Sequence, residues 1–141
     1  EMQGSLGRWA QAISNDFAAR LDWHVKPPAE ANHPPVAHVN GDATRRVLQL
    51  TVKAGETVSL DAAGSNDPDG DSLTYKWWQY REPGTLAEQV RLTTAESPRT
   101  TFVAPTVTEP RTLPLILEVT DNGKPALTGY RRVVLTITPA R

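Results

Sequence analysis

The strongest constraint on the fold is a two-residue alternation of apolar and polar side chains in the second half of the chain. Successive side chains of a β-strand point to opposite faces, so each alternating set predicts a strand with one buried face. The apolar positions are Leu48, Leu50 and Val52; Val58, Leu60 and Ala62; Leu73, Tyr75 and Trp77; Leu113, Leu115, Leu117 and Val119; and Val133, Leu135 and Ile137. Shorter strands are predicted at 36–39, 89–93 and 100–103. Together they predict a mainly β, immunoglobulin-like antiparallel β-sandwich over residues 36–141.

The first 25 residues follow a different period. Apolar residues recur there every three or four positions, which predicts an amphipathic helix from Ser5 to about Asp22 within an N-terminal helical segment, 1–25. The stripe consists of Leu6, Trp9, Ile13, Phe17 and Leu21. Residues 26–35 contain four prolines and predict an extended linker. The stripe needs a partner surface, on the sandwich or on a domain outside this chain, and the sequence leaves both open.

Charge and cysteine content narrow the classes of partner. Fifteen Lys and Arg nearly balance 16 Asp and Glu, for a formal charge of −1. We therefore expect no nucleic-acid partner and no membrane partner. The chain has no cysteine, which excludes disulfides and thiol chemistry but leaves the compartment open. It opens at Glu1 without a signal peptide, and we interpret it as a piece of a longer protein.

The run from Gly55 to Trp77 resembles a polycystic-kidney-disease (PKD) domain. It combines a strand, the acidic turn Asp67–Asp71 and the pattern Leu-x-Tyr-x-Trp, and the sequence Val119–Gly123 resembles the second landmark of that family. The resemblance covers roughly residues 34–139. It implies a PKD-like fold and a role as a spacer, a partner-binding module or a weak polysaccharide binder.

A second resemblance covers nearly the whole chain. Four pieces of sequence resemble the C-terminal portion of bacterial cellulose-binding proteins that have a nucleoside-hydrolase-like N-terminal domain: Trp9-Ala10, Asn15–Trp23, Ala31–Pro35 and Trp77-Trp78. The resemblance implies two partners, a polysaccharide such as cellulose and the N-terminal hydrolase-like domain of the same protein. It also implies a secreted or periplasmic location, and it assigns any catalytic aspartates to the N-terminal domain.

The acidic turn is a candidate structural Ca²⁺ site. Asp67, Asp69 and Asp71 alternate within Asp-Pro-Asp-Gly-Asp, and three carboxylates this close repel each other unless a hard cation lies between them. In an immunoglobulin-like sandwich, Asn32 and Asp121 would lie at the same end. The PKD resemblance implies the same ligand set. The alternative is that these residues only make the hydrogen bonds of tight turns.

The outward face of the strand around Trp77 is a candidate carbohydrate-binding surface. Strand alternation places six aromatic or charged residues on this face: Lys76, Trp78, Tyr80, Glu118, Tyr130 and Arg132. The aromatic rings could stack on sugar rings, while the charged groups bond hydroxyls. Two alternatives are open, since the N-terminal helix or a domain outside this chain could cover the same face.

No complete active site is expected in this chain. It has no Gly-x-Ser-x-Gly elbow and no cysteine nucleophile. The leading hypothesis is a non-catalytic accessory module of a secreted carbohydrate-active protein. One alternative is a structural spacer, rigidified by Ca²⁺, that docks onto a hydrolase-like domain. Another is a fragment that completes the active site of a nucleoside-hydrolase-like enzyme.

Overall fold

The computed structural model shows a long helix followed by six strands, and it describes residues 2–25, 31–42, 44, 46–80, 85–86 and 89–140. The elements are α1 (Met2–Val25), β1 (Leu48–Lys53), β2 (Thr57–Asp61), β3 (Thr74–Gln79), β4 (Arg99–Val103), β5 (Arg111–Thr120) and β6 (Thr128–Thr138). In the described part of the chain, no helix is long and apolar enough to cross a membrane.

The strands form two sheets that enclose one core. The larger sheet has the order β1-β6-β5-β3, and the smaller one pairs β2 with β4. The predicted immunoglobulin/PKD-like sandwich with a preceding helix is confirmed, with one departure from antiparallel pairing. Strand β1 runs parallel to β6, with Leu48 opposite Val133. Parallel neighbours need a long connection, and here the connection contains all the intervening strands.

The core lies where the alternating apolar positions predict it. Leu60, Leu115 and Leu135 are completely buried, and Trp77 is 1% exposed. The indole Nε1 of Trp77 donates a hydrogen bond to the Ser97 carbonyl at 3.0 Å, so its polar group is satisfied. Burial of one such large side chain contributes about 1.5–3 kcal/mol. Burial of the alternating apolar side chains therefore holds the two sheets together.

Two predicted short strands are wrong. Residues 36–39 make only isolated bridges, Val36 with Asn66 and Val39 with Asp42. Residues 89–93 belong to no strand, because Val90 donates its backbone N–H to the Gln79 side chain instead of to a neighbouring strand. In both places, side-chain hydrogen bonds and single bridges replace a ladder.

The predicted linker, 26–35, is described only in its second half, since 26–30 lie outside the described residues. Ala31, Asn32 and Pro35 are all buried. The described half of this segment therefore packs against the rest of the structure.

A buried arginine fixes the loop before β1. Arg131 is 3% exposed, and its guanidinium donates to the carbonyls of Asp42 and Arg46, each at 2.8 Å. Hydrogen bonds from the Thr44 hydroxyl and N–H, followed by the contribution of Arg131, lower the pKa of Asp42 to about 2. The loop is thus tied to β6 by a fully partnered charge.

Candidate functional site

The register of the larger sheet brings the predicted outward residues together. Glu118 of β5 lies between Lys76 of β3 and Tyr130 of β6 in one cross-strand row. Trp78 and Arg132 flank β5 in the neighbouring row. The sequence-based assignment of these side chains to one face agrees with this register.

Helix α1 contacts this face through Trp9. The Trp9 ring lies 5.8 Å from the Trp78 ring and 5.1 Å from the Tyr130 ring, with interplanar angles of 50° and 71°. Trp78 in turn lies 5.5 Å from Tyr80 at 53°. Tilted and edge-to-face contacts are the favoured geometry of packed aromatic rings. The four rings form an aromatic cluster and not one flat platform.

Polar groups hold the aromatic cluster in place. Trp78 donates its indole N–H to the carboxylate of Glu118. Burial, and then the negative charge of Glu118, raise the pKa of Tyr130. Ile116, which lies between Trp78 and Arg132 on the same face, is buried. Of the alternatives for this face, contact with α1 is the one that the structure contains.

The helix presents two different faces. On the side that meets the sandwich, Ala19 is completely buried, and the Asn15 side chain donates to the Ala126 carbonyl at 2.8 Å. Away from this contact, Phe17 and Leu21 are 64% and 54% exposed, and Ile13, which also borders a groove beside β6, is 65% exposed. We call these three residues the outward stripe.

The sequence left open whether the apolar stripe meets the sandwich or a domain outside this chain, and in the structure Trp9 packs on the sandwich while the outward stripe is exposed. Steps of four residues advance about 40° around a helix. Three such steps carry the side chain of Leu21 about 120° away from that of Trp9. The contact with the sandwich is made by Trp9 together with the polar Asn15 and the small Ala19.

The acidic turn forms the cluster that its spacing predicts. One carboxylate oxygen from each of Asp67, Asp69 and Asp71 lies within 4.8 Å of the other two. Oδ1 of Asp67 accepts the backbone N–H groups of Asp69 and Asp71 at 2.8 and 3.3 Å. Gly70 has a φ of 78°, a conformation that glycine adopts without strain. The turn is therefore built both by hydrogen bonds and by the glycine.

One oxygen of this turn fits a cation. Oδ2 of Asp67 is buried and has no hydrogen-bond partner among the described residues. Burial, followed by the charges of Asp67, Asp121 and Asp69, raises the pKa of Asp71. An oxygen-only ligand set with excess negative charge suits a hard divalent cation such as Ca²⁺. Asp67, Asp69 and Asp71 would hold it.

The two remaining predicted ligands bond to each other. The amide nitrogen of Asn32 donates to both carboxylate oxygens of Asp121, at 3.2 and 3.0 Å, and to the Pro125 carbonyl at 2.7 Å. Asp121 also accepts the backbone N–H groups of Gly123 and Leu127. These bonds satisfy a buried carboxylate and anchor the chain just before the sandwich.

The acidic turn and the Asn32–Asp121 pair lie at the same end. His33, the residue after Asn32, donates its backbone N–H to Oδ2 of Asp69 at 2.7 Å. The charge of Asp121 also contributes to the raised pKa of Asp71. The sequence-based expectation that these loops meet therefore agrees with the structure.

Sequence reasoning missed two adjoining grooves between α1 and β6. Each has a volume of about 310 Å³, and both are lined by Asp16, Pro34, Thr128 and Tyr130. Trp9 lines the first groove only. These residues come from three separate segments, so no local pattern could have indicated them.

The fold and these surfaces define an immunoglobulin-like β-sandwich module with a helix packed on its outer sheet. The profile of the family described as cellulose-binding protein Sde0182, C-terminal domain, matches residues 57–137. This is more than half of the 141 residues, and the chain belongs to that family. The resemblance to the C-terminal portion of cellulose-binding proteins is thereby confirmed.

Solved structures show the same architecture. A nucleoside hydrolase-related hypothetical protein from Saccharophagus degradans, associated with carbohydrate metabolism, is 43% identical with a TM-score of 0.90. The match covers 93% of this chain and 32% of that one, so the chain spans about a third of that protein. The 2,6-sialyltransferase of Photobacterium sp. JT-ISH-224 matches at 20% identity and a TM-score of 0.50, over 67% of this chain and 18% of that chain.

A PKD domain from the KIAA 1837 protein is also similar, at 20% identity and a TM-score of 0.47, over 79% of this chain and 95% of that chain. The comparison with curated proteins found no match.

Proposed function

We propose that this chain is a non-catalytic accessory module of a longer carbohydrate-active protein. In this proposal its outward stripe packs against a hydrolase-like domain of the same protein, and the module associates that domain with a polysaccharide such as cellulose. The family description names a cellulose-binding protein. The related Saccharophagus degradans protein is about three times as long and is nucleoside hydrolase-related.

The outward stripe is the observation that carries the proposal. Ile13, Phe17 and Leu21 follow one another at four-residue spacing, and each is more than half exposed. A contiguous exposed apolar surface usually marks an interface. The match to the longer protein covers 93% of this chain, so most of the helix belongs to the shared structure. The remaining two thirds of such a protein would supply the partner surface.

A non-catalytic role is supported by the family description, which names a cellulose-binding protein. The proposal also places the module outside the cytoplasm, secreted or periplasmic, because polysaccharides of the cellulose type are found there.

We further propose that Ca²⁺ binds the acidic turn as a structural ion. The supporting observation is the buried Oδ2 of Asp67, which has no hydrogen-bond partner in the described part of the chain. A cation there would neutralise the turn beside the segment that enters the sandwich. It would stiffen the connection between the helix and the β-sandwich and would take no part in catalysis.

Calorimetry of a longer chain, with a hydrolase-like domain before this module, tests the docking. We expect wild-type protein to unfold with the module and the preceding domain coupled. Phe17→Asp places a charge in the stripe and should separate a module transition from that of the preceding domain. Val103→Asp is the matched control, since Val103 is 61% exposed on β4, away from the helix. Identical unfolding of the two variants would contradict the proposal.

A further inference from the structure

The two grooves between α1 and β6 adjoin each other, and together we call them the depression. They share Asp16, Pro34, Thr128 and Tyr130, and Trp9 and Ile13 line the first groove only. Each groove has a volume of about 310 Å³, at the lower limit of the roughly 300–1,000 Å³ typical of small-molecule sites. Two adjoining spaces of this size suit a ligand that extends from one groove into the other.

The lining combines aromatic rings with a few polar groups. Tyr130 is 40% exposed and borders both grooves. The hydroxyl of Thr128 bonds that of Thr120 at 3.0 Å and so is held in place by the sheet. An aromatic plane beside hydroxyl and carboxylate groups is a surface that can stack on the apolar face of a sugar ring and bond its hydroxyls.

The charge of the grooves selects among sugars. Oδ2 of Asp16 accepts a hydrogen bond from Nε of Arg20 at 2.7 Å, but Arg20 lines neither groove. The described lining residues include no lysine, arginine or histidine. A uronate or sugar phosphate would therefore meet a carboxylate without a cation within the groove. A neutral sugar chain meets no such repulsion.

We propose that this depression binds a short segment of a neutral polysaccharide chain, with Tyr130 as the stacking residue and Asp16 and Thr128 as hydrogen-bonding residues. The proposal deepens the proposed function, on which it rests, by naming the sugar site. It moves that site from the aromatic cluster around Trp78 to the crevice beside the helix. Tyr130 belongs to both surfaces.

Calorimetric titration of the 141-residue chain with cellohexaose tests the site. We expect Tyr130→Ala to weaken binding by about tenfold or more, as for the removal of a central aromatic contact. Because Tyr130 also contacts Trp9, a second variant is needed, and Ala12→Leu fills the groove from the helix side without removing that contact. Val103→Ala is the matched control, because Val103 is exposed on β4 and lines neither groove.

The proposal predicts that wild type and Val103→Ala bind cellohexaose alike. It predicts that Tyr130→Ala and Ala12→Leu bind cellohexaose weakly, and that hexagalacturonate binds none of the four proteins. Equal affinity of all four proteins for cellohexaose would overturn it, as would tighter binding of hexagalacturonate. Depletion on insoluble cellulose distinguishes failure of the groove proposal from failure of the proposed polysaccharide association. If wild type and Tyr130→Ala are depleted equally, the groove is not the site but polysaccharide association stands. If wild type binds neither cellohexaose nor cellulose, both proposals fail.

Discussion

The ring of Trp9 lies 5.1 Å from the ring of Tyr130, edge to face at 71°. This contact joins the N-terminal helix to the last strand of the chain and helps to cover the outer face of the larger sheet. Together with the hydrogen bond from Asn15 to Ala126, it orients the helix so that Phe17 and Leu21 point away from the sandwich. The position of the outward stripe and the walls of the grooves both depend on it.

Removal of Trp9 should loosen the helix. We expect Trp9→Ala to lower the free energy of unfolding by about 1.5–3 kcal/mol, the value for burial of a large apolar side chain. Chemical denaturation followed by circular dichroism measures this. Phe17→Ala is the control, because Phe17 is exposed and lines neither groove, and its change should stay within about 0.5 kcal/mol. Equal losses in the two variants would mean that the aromatic contact does not hold the helix.

Calcium should stabilise the metal-free chain through the acidic turn. We expect Ca²⁺ to raise the melting temperature of wild type, since a ligand that binds only the folded state shifts the unfolding equilibrium. Asp67→Asn should lose most of this rise because it alters the unpartnered oxygen. Asp61→Asn should keep it, since Asp61 lies on β2 and pairs with Arg99. If wild type shows no heat of binding on Ca²⁺ titration and no rise in melting temperature, the site is excluded.

The Asp71→Asn substitution should have opposite effects on the melting temperature in the absence and in the presence of Ca²⁺. Burial and three neighbouring carboxylates raise the pKa of Asp71, so the charged form destabilises the folded state at neutral pH. The metal-free variant should therefore melt at a higher temperature than metal-free wild type. In Ca²⁺ the order should reverse. If the variant and wild type keep the same order of melting temperatures with and without Ca²⁺, this account of the turn is contradicted.

Acid should weaken the loop that Arg131 holds. The folded-state pKa of Asp42 is about 2, below the unfolded value of about 3.9. Its contribution to stability is therefore present above about pH 4 and is lost as the pH falls from about 4 to about 2. We expect wild type to lose more stability over this interval than Asp42→Asn, measured by urea denaturation at each pH. Glu109→Gln is the control and should follow wild type.

The sequence predicted the parts of the fold that depend on strict alternation. Trp77 and Trp78 are adjacent in sequence, and alternation correctly placed the first in the core and the second on the outer face. The shorter strands predicted at 36–39 and 89–93 were wrong, because single bridges and the side chain of Gln79 replace a ladder there. Such pairings depend on tertiary contacts that short segments do not encode.

The candidate sites differ in the same way. The acidic cluster was predictable because its three carboxylates lie within five residues of sequence. The orientation of the helix was not, because the apolar spacing gives a stripe but not the surface that it meets. Trp9 packs on the sandwich while Phe17 faces outward. The grooves need Asp16 and Tyr130 together, which only the packed structure brings about.

Hydroxyl-radical footprinting of side chains tests the central claim most directly, that the helix packs by Trp9 and offers its outward stripe to a preceding domain. In the 141-residue chain, Phe17, Leu21 and the control Val103 should all be readily oxidised. In a longer chain with the hydrolase-like domain, Phe17 and Leu21 should become protected while Val103 stays reactive. Equal oxidation of Phe17 and Leu21 in both chains would contradict the account.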